Sequence, residues 1–304
     1  MNALNGVSLV QEEGQVYCLV GESGSGKSTL ALSIMGLLPS NATIERGAIY
    51  FDGVNLLSSG PDHMRTLRGK EIAMVFQDAQ SALNPVQLVG DQIEEIILEH
   101  ADVSARIANR MAQEMLRQTG LAEPSHIMGQ YTFHLSGGMC QRVMMAMGLV
   151  LEPRLLIADE PTSGLDVTLQ AEIDLLRKSC REQGASILLI THDMGVVASM
   201  AQQVGVMYGG SMIETAEVIP TFKRPQPPYT WSLIGSLPRL DEPVRRLRTL
   251  PGSPPDMMNL PDECAFLPRC QKAQSQCRTS PRPPLRELEP GHQVACYNPV
   301  VPTE

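Results

Sequence analysis

The residues Gly21-Glu22-Ser23-Gly24-Ser25-Gly26-Lys27-Ser28-Thr29 carry the strongest chemical signal in the chain. They fit G-x-x-x-x-G-K-[ST], a loop that wraps phosphates. Gly21, Gly24 and Gly26 let the backbone turn tightly and aim successive N–H groups at phosphate oxygens, where a Cβ would obstruct. Ser23, Ser25 and Thr29 complete the polar lining. Lys27 can reach the β- and γ-phosphates, and the Ser28 hydroxyl can ligate Mg²⁺. A second signal is Asp159-Glu160, which follows the apolar run Leu155-Leu156-Ile157-Ala158. Two carboxylates at the C-terminal end of a strand lie where open α/β sheets bind ligands. Asp159 is expected to hold Mg²⁺, and Glu160 to polarise an attacking water as general base. The third signal is Ser136-Gly137-Gly138, which opens a helix and makes a second phosphate-binding helix terminus. One nucleotide does not need two such termini from one subunit, so the simplest account is a dimer that shares them.

The elements that position these residues are legible as short buried strands alternating with helices. Val16–Val20 is an apolar run entering the glycine loop, and the helix begins with Thr29-Leu30-Ala31-Leu32. Residues 44–53, with Gly47–Gly53 at their end, read as a strand closed by an Asp-Gly turn, residues 61–70 as a short basic helix, and Ile72–Gln77 as another buried strand. Ile93, Ile96, Ile97, Ile107, Met111 and Met115 recur at helical spacing. A helix is expected to start after Gly138 and run to Leu151, stopped by Pro153. Residues 168–183 read as a helix and 186–191 as a strand. This alternation predicts a parallel α/β sheet with a helical insertion at about 80–150. The expected divisions are 1–79, 80–150, 151–215 and 216–304. Seventeen of the 23 prolines fall in the last 90 residues. That segment is therefore read as an irregular appendage that cannot continue a doubly wound sheet.

The chain has 304 residues, enough for one large domain or two. Its net charge of −9 argues against nucleic-acid binding, which needs clustered Lys and Arg. No apolar run approaches the ~18 residues that span a bilayer, and Met1 to Gln11 lack the features of a signal peptide. These features predict a cytoplasmic chain whose membrane association goes through partners. Its seven cysteines are then thiols or metal ligands rather than disulfides.

Taken together, the motifs resemble those of the ATP-binding subunits of ABC transporters, over nearly the whole chain. Gly21–Thr29 is similar to Walker A, Leu155–Glu160 to Walker B, Leu135–Gln141 to the signature motif, and Ser163-Gly164-Leu165-Asp166 to the D-loop. Gln77 matches the Q-loop glutamine and His192, in Thr191-His192-Asp193, the switch histidine. The run Phe76-Gln77-Asp78 with Leu83-Asn84-Pro85 resembles the dipeptide/oligopeptide/nickel importer group. So does the tail, through Pro228-Tyr229-Thr230, Leu237-Pro238-Arg239-Leu240, Pro251–Pro255, Pro268-Arg269-Cys270 and Pro290-Gly291-His292.

The resemblance implies a RecA-like P-loop NTPase core with a small β-rich N-terminal part, an ABC-type helical subdomain and an irregular Pro/Cys-rich C-terminal appendage. It implies ATP and Mg²⁺ as cofactors, with Gln77 sensing the γ-phosphate, ligating Mg²⁺ and touching the membrane subunit through the helical insertion, His192 hydrogen-bonding the γ-phosphate, and Asp166 at the nucleotide. The implied partners are an identical or homologous ATPase subunit, two transmembrane permease subunits and, indirectly, an extracytoplasmic solute-binding protein, with no nucleic acid. The chain would sit on the cytoplasmic face of the cell membrane. A catalytically weak regulatory subunit paired with an active homologue is the other reading. Two departures favour it. Cys140 stands where relatives usually carry a basic residue. And no aromatic precedes Tyr17 to stack on adenine, so either the natural start lies upstream of Met1 or adenine is held weakly.

Cys264, Cys270, Cys277 and Cys296 complete the inventory. Their spacing is a poor zinc pattern and is not the compact ferredoxin run, so four free thiols remain open on spacing alone. Cysteines at similar positions in some relatives of the importer group bind an iron–sulfur cluster. The resemblance therefore implies a [4Fe–4S] centre here, with zinc as the second choice.

Overall fold

The computed structural model describes residues 1–161, 173–178, 182, 184–237 and 250–300. They fall into two compact units: Met1–Val10, Tyr17–Leu30 and Ile190–Glu304 in one, Gln11–Val16 and Ala31–Leu189 in the other.

In the first unit, strands β1 (Val16–Val20), β7 (Gln203–Tyr208), β8 (Ser211–Glu217), β10 (His292–Val294) and β9 (Arg286–Glu289) lie side by side in that order. Every residue of β1 is buried, as expected of an apolar strand covered on both faces. It pairs parallel with β7, Tyr17 opposite Gln203 through Val20 opposite Val206. The Tyr17 hydroxyl shares a hydrogen bond with Thr215 Oγ1 at 2.9 Å, and its ring is buried, so Tyr17 is core. β7 and β8 are antiparallel.

The tail departs from expectation. Residues 286–294 form a hairpin that adds β10 and then β9, antiparallel, beside β8. The Pro-rich tail therefore does extend a sheet. It can do so because the prolines stand outside the paired residues: Pro281, Pro283 and Pro284 precede β9, and Pro290 with Gly291 (φ +73°) makes the turn. His292 Nε2 lies 2.6 Å from Glu214 Oε1, a fully buried pair that ties β10 to β8. Nor is the appendage wholly irregular, since it contains α10 (Val218–Lys223), α11 (Pro228–Gly235) and the short α12 (Ser275–Thr279). Residues 7–10 form no strand.

The second unit holds β4 (Ile72–Val75), β5 (Leu155–Asp159) and β6 (Ser186–Ile190), adjacent in that order. β4 and β5 are parallel, with Ile72 opposite Leu155 and Val75 opposite Ala158. β4 stops two residues short of Gln77 because the Phe76 N–H leaves the ladder and donates to Met144 Sδ at 3.0 Å. The strand expected over 44–53 shrinks to a hairpin of β2 (Tyr50–Phe51) and β3 (Val54–Asn55). Asp52 (φ +50°) and Gly53 (φ +77°) supply the two positive φ angles of its tight turn.

The helical stretch comprises α3 (Ala79–Ala82), α4 (Val89–His100), α5 (Ala105–Gln118), α6 (Pro124–Met128) and α7 (Gly137–Leu149). The face that α5 buries carries Ala108, Ala112, Met115 and Leu116, while Ile107 is exposed. The expected apolar stripe is thus rotated by about one residue. The expected basic helix is α2 (Pro61–Leu67), and residues 173–178 belong to a further helix, α8. Among the described residues no helix is long and apolar enough to cross a membrane.

Candidate functional site

The glycine loop belongs to the first unit. It leaves β1 at Gly21 and enters α1 (Lys27–Met35) directly. Gly21 (φ +151°) and Gly26 (φ +100°) are obligatory for steric reasons. A Cβ on Gly21 would fall 2.2 Å from the Met207 carbonyl oxygen, and one on Gly26 would fall 2.7 Å from the Ala3 carbonyl oxygen. The loop folds around its own lysine. Lys27 Nζ donates to the carbonyls of Gly21 (2.8 Å) and Glu22 (3.0 Å) and to Ser25 Oγ (3.3 Å), and the side chain is buried. A buried ammonium surrounded by short polar groups is poised to exchange those acceptors for phosphate oxygens. Ser23, Gly24, Ser28 and Thr29 lie in the same turn and first helical turn.

The first unit also carries His192, an exposed residue between β6 and α9 (Met194–Met200). Its flanks are rigid. Asp193 caps α9, its Oδ1 accepting from Gly195 N–H (2.7 Å) and Val196 N–H (3.2 Å), while Thr191 Oγ1 accepts from the Asp193 N–H at 3.0 Å.

In the second unit, Asp159 ends β5 and is buried, and Glu160 follows at φ +46°. A non-glycine residue in that region stores strain, which clusters at functional sites. Gln77 Nε2 donates to Glu160 Oε2 at 3.2 Å, so two residues 83 positions apart meet, as two groups sharing one water would have to. Ser136 caps α7, its Oγ accepting from the Met139 N–H at 3.3 Å. Ser136 and Gly137 are exposed, which leaves this helix terminus open to another molecule. The Phe76–Met144 bond joins the strand before Gln77 to the helix that Ser136 starts. Cys140 is fully buried, its thiol donating to the Thr132 carbonyl at 3.6 Å. Asp166 lies outside the described residues, as do Ser163, Gly164 and Leu165.

The four tail cysteines come together. Cys264, Cys270, Cys277 and Cys296 line one small cleft of about 30 Å³ with Tyr229 and Phe266. Burial pushes the Cys264 thiol up, and its neighbours Cys270 and Cys277 add to this. Cys296 is pushed up to about 11, by burial first and then by the other three cysteines.

Sequence reasoning missed Arg269 and Tyr229 as participants around the glycine loop. Arg269 N–H groups meet both carboxylate oxygens of Glu22, at 2.6 and 3.0 Å, and Tyr229 Oη accepts from the Glu22 N–H at 2.9 Å. The partners are more than 200 positions apart in the chain, so no spacing rule could have found them.

Residues 4–163 match the family model described as "ABC transporter", and residues 213–277 match "Oligopeptide/dipeptide transporter, C-terminal region". The chain is 43% identical over 297 residues to the oligopeptide transport ATP-binding protein AppD of Bacillus subtilis, covering 97% of this chain and 90% of that protein. It is 43% identical over 300 residues to the dipeptide transport ATP-binding protein DppD of the same organism, covering 98% and 89%. It is 41% identical over 301 residues to the oligopeptide transport ATP-binding protein OppD of Salmonella typhimurium, covering 99% and 89%. Among solved structures, a dimeric post-hydrolysis state of the ATP-binding cassette MJ0796 bound to ADP and Pi superposes with a TM-score of 0.65 at 28% identity. It covers 71% of this chain and 90% of that one.

Proposed function

This chain belongs to the ATP-binding subunits of ABC transporters, and we propose that it hydrolyses ATP to drive import of peptides through separate membrane subunits. In this reading Gly21 to Thr29 hold the phosphates, with Lys27 on the β- and γ-oxygens. Ser28, Gln77 and Asp159 would hold Mg²⁺. Glu160 takes the proton of the attacking water, and His192 steadies the γ-phosphate. The observation that carries it is the Gln77–Glu160 hydrogen bond, because it joins the two side chains that would share one water. The exposed Ser136 terminus is the part offered to the nucleotide of a second ATPase subunit, identical or homologous. The permeases and an extracytoplasmic binding protein complete the machine, with this chain on the cytoplasmic face. The weak regulatory alternative gains nothing from Cys140, whose side chain faces inward.

Since each site needs a second subunit's Ser136-type loop, the isolated chain should turn over ATP slowly. Its specific activity should climb with protein concentration or with added partner subunit. A dilute chain, verified as monomer by light scattering, that works at the full transporter rate would refute the shared site.

Four cysteines line the tail cleft, and among the described residues no group of three or more His, Cys, Asp or Glu is set to hold a metal ion. On the resemblance to the importer group, we infer that Cys264, Cys270, Cys277 and Cys296 would hold a [4Fe–4S] centre, with zinc as the lesser choice. When bound, such a centre would cross-link the tail. Anaerobically purified protein should be brown and carry about four irons per chain. Cys270→Ser should bleach it and make the tail sensitive to protease. Stoichiometric zinc in colourless protein, or four titratable thiols with no metal, would contradict the assignment.

A further inference from the structure

Glu22 is the first variable residue of the glycine loop, and all of its polar groups are engaged. Its carbonyl accepts from Lys27 Nζ at 3.0 Å. Its N–H donates to Tyr229 Oη at 2.9 Å. Its carboxylate takes a two-pronged ion pair from Arg269 Nη1 (2.6 Å) and Nη2 (3.0 Å). Only the first of these bonds is internal to the loop. The other two come from the C-terminal appendage.

The appendage side of the contact is built, not incidental. The Arg269 side chain is only 6% exposed and that of Glu22 21%, so water competes weakly for the pair. Arg269 also donates from Nε to the Pro251 carbonyl (2.8 Å) and from Nη1 to Tyr208 Oη (3.0 Å). Its guanidinium lies 5.9 Å from the ring centroids of both Tyr208 and Phe266. Tyr208, Tyr229 and Phe266 pack against one another with centroids 4.5 to 5.3 Å apart. Gly252 leaves room for the Arg269 chain, since a Cβ there would meet Arg269 Cγ at 3.3 Å. Every donor that the guanidinium directs at the loop is therefore fixed from behind. The neighbouring residue is Cys270, and Tyr229 and Phe266 line the cysteine cleft.

We propose that the C-terminal appendage is a clamp on the phosphate loop, in which Arg269 and Tyr229 are positioning residues that set nucleotide affinity through Glu22. The reasoning is mechanical. The Glu22 carbonyl is one of the acceptors around Lys27, so a shift of Glu22 re-aims the lysine and the loop N–H groups that follow it. The carboxylate itself would repel a phosphate chain. Arg269 neutralises it and draws it toward the appendage. A clamp of this kind acts on nucleotide binding and leaves the chemistry at Glu160 alone. The state of the cysteine cleft, one residue from Arg269, would then be felt at the nucleotide.

This inference rests on the assignment of the loop as the nucleotide site, and the test separates the two. MgATP affinity is measured by titration with a fluorescent ATP analogue on the full chain, alongside KM and kcat of the assembled transporter. Arg269→Gln and Glu22→Gln should each weaken nucleotide binding about tenfold and raise KM to match, with kcat within about twofold. Arg269→Lys, which retains charge but not the two-pronged geometry, should fall between. The double variant Arg269→Gln/Glu22→Gln should be no weaker than either single one, because both remove the same contact. Tyr229→Phe, which keeps the ring and removes the hydroxyl, controls for loss of the tail fold and should also weaken binding. Lys27→Ala should abolish binding in the same titration. If Lys27→Ala binds like the parent, the loop assignment falls and takes the clamp with it. If Lys27→Ala fails to bind while Arg269→Gln, Glu22→Gln and Tyr229→Phe all bind like the parent, the clamp alone is wrong. An Arg269→Gln/Glu22→Gln effect equal to the product of the singles would also overturn it.

Discussion

Replacing Glu160 by Gln is expected to reduce steady-state ATP turnover of the assembled transporter by at least ~10²–10⁴-fold, the range for loss of a general base. The amide keeps the shape of the side chain and can still meet Gln77, which lies 3.2 Å away. It cannot accept the proton of the attacking water. Nucleotide affinity should stay within a few-fold of the parent, because the amide matches the carboxylate in shape and Glu160 is not one of the loop residues that would grip the phosphates. The strained φ of +46° at Glu160 should be retained in the variant, so the comparison isolates the carboxylate. Unchanged turnover, measured where the partner ATPase site carries the matching substitution, would remove Glu160 from its role.

The second large effect is predicted for Gly21→Ala. The added methyl would meet the Met207 carbonyl oxygen at 2.2 Å and Ser25 Oγ at 2.9 Å. The first contact is with backbone and has no side chain to give way. The loop must move, and Gly21's carbonyl, one of the acceptors around Lys27, must move with it. A displacement costing about 3 kcal/mol corresponds to ~100-fold weaker nucleotide binding. The same titration checks this. Parent-like affinity for Gly21→Ala would mean that the loop geometry does not govern binding.

Much of this architecture was legible from residue type and spacing alone. The strand Val16–Val20 stands as read, because a short apolar run before a glycine loop has few other solutions. The helix from Gly137 to Leu149 is also found, announced by a serine cap before two glycines. What failed was long-range. Proline content predicts a tail unable to extend a sheet, yet two short proline-free runs on either side of Pro290, Arg286–Glu289 and His292–Val294, suffice for the β9–β10 hairpin. Composition averages over a segment, whereas strand pairing depends on which individual N–H groups are missing. The 44–53 strand is overread for the opposite reason. An Asp-Gly turn dictates a hairpin but says nothing about how many rungs follow it. The Gln77–Glu160 meeting could be expected only through the family pattern. The Arg269–Glu22 pair could not be expected at all, since it depends on how a tail folds back over more than 200 residues.

Whether Glu160 is the general base can be read from the nucleotide left on the protein. The parent and Glu160→Gln transporters are loaded with radiolabelled MgATP, separated from free nucleotide, quenched in acid and chromatographed. The predicted result is ADP on the parent and intact ATP on the Glu160→Gln protein. ADP on both would contradict the account, because ATP would then be cleaved without the Glu160 carboxylate.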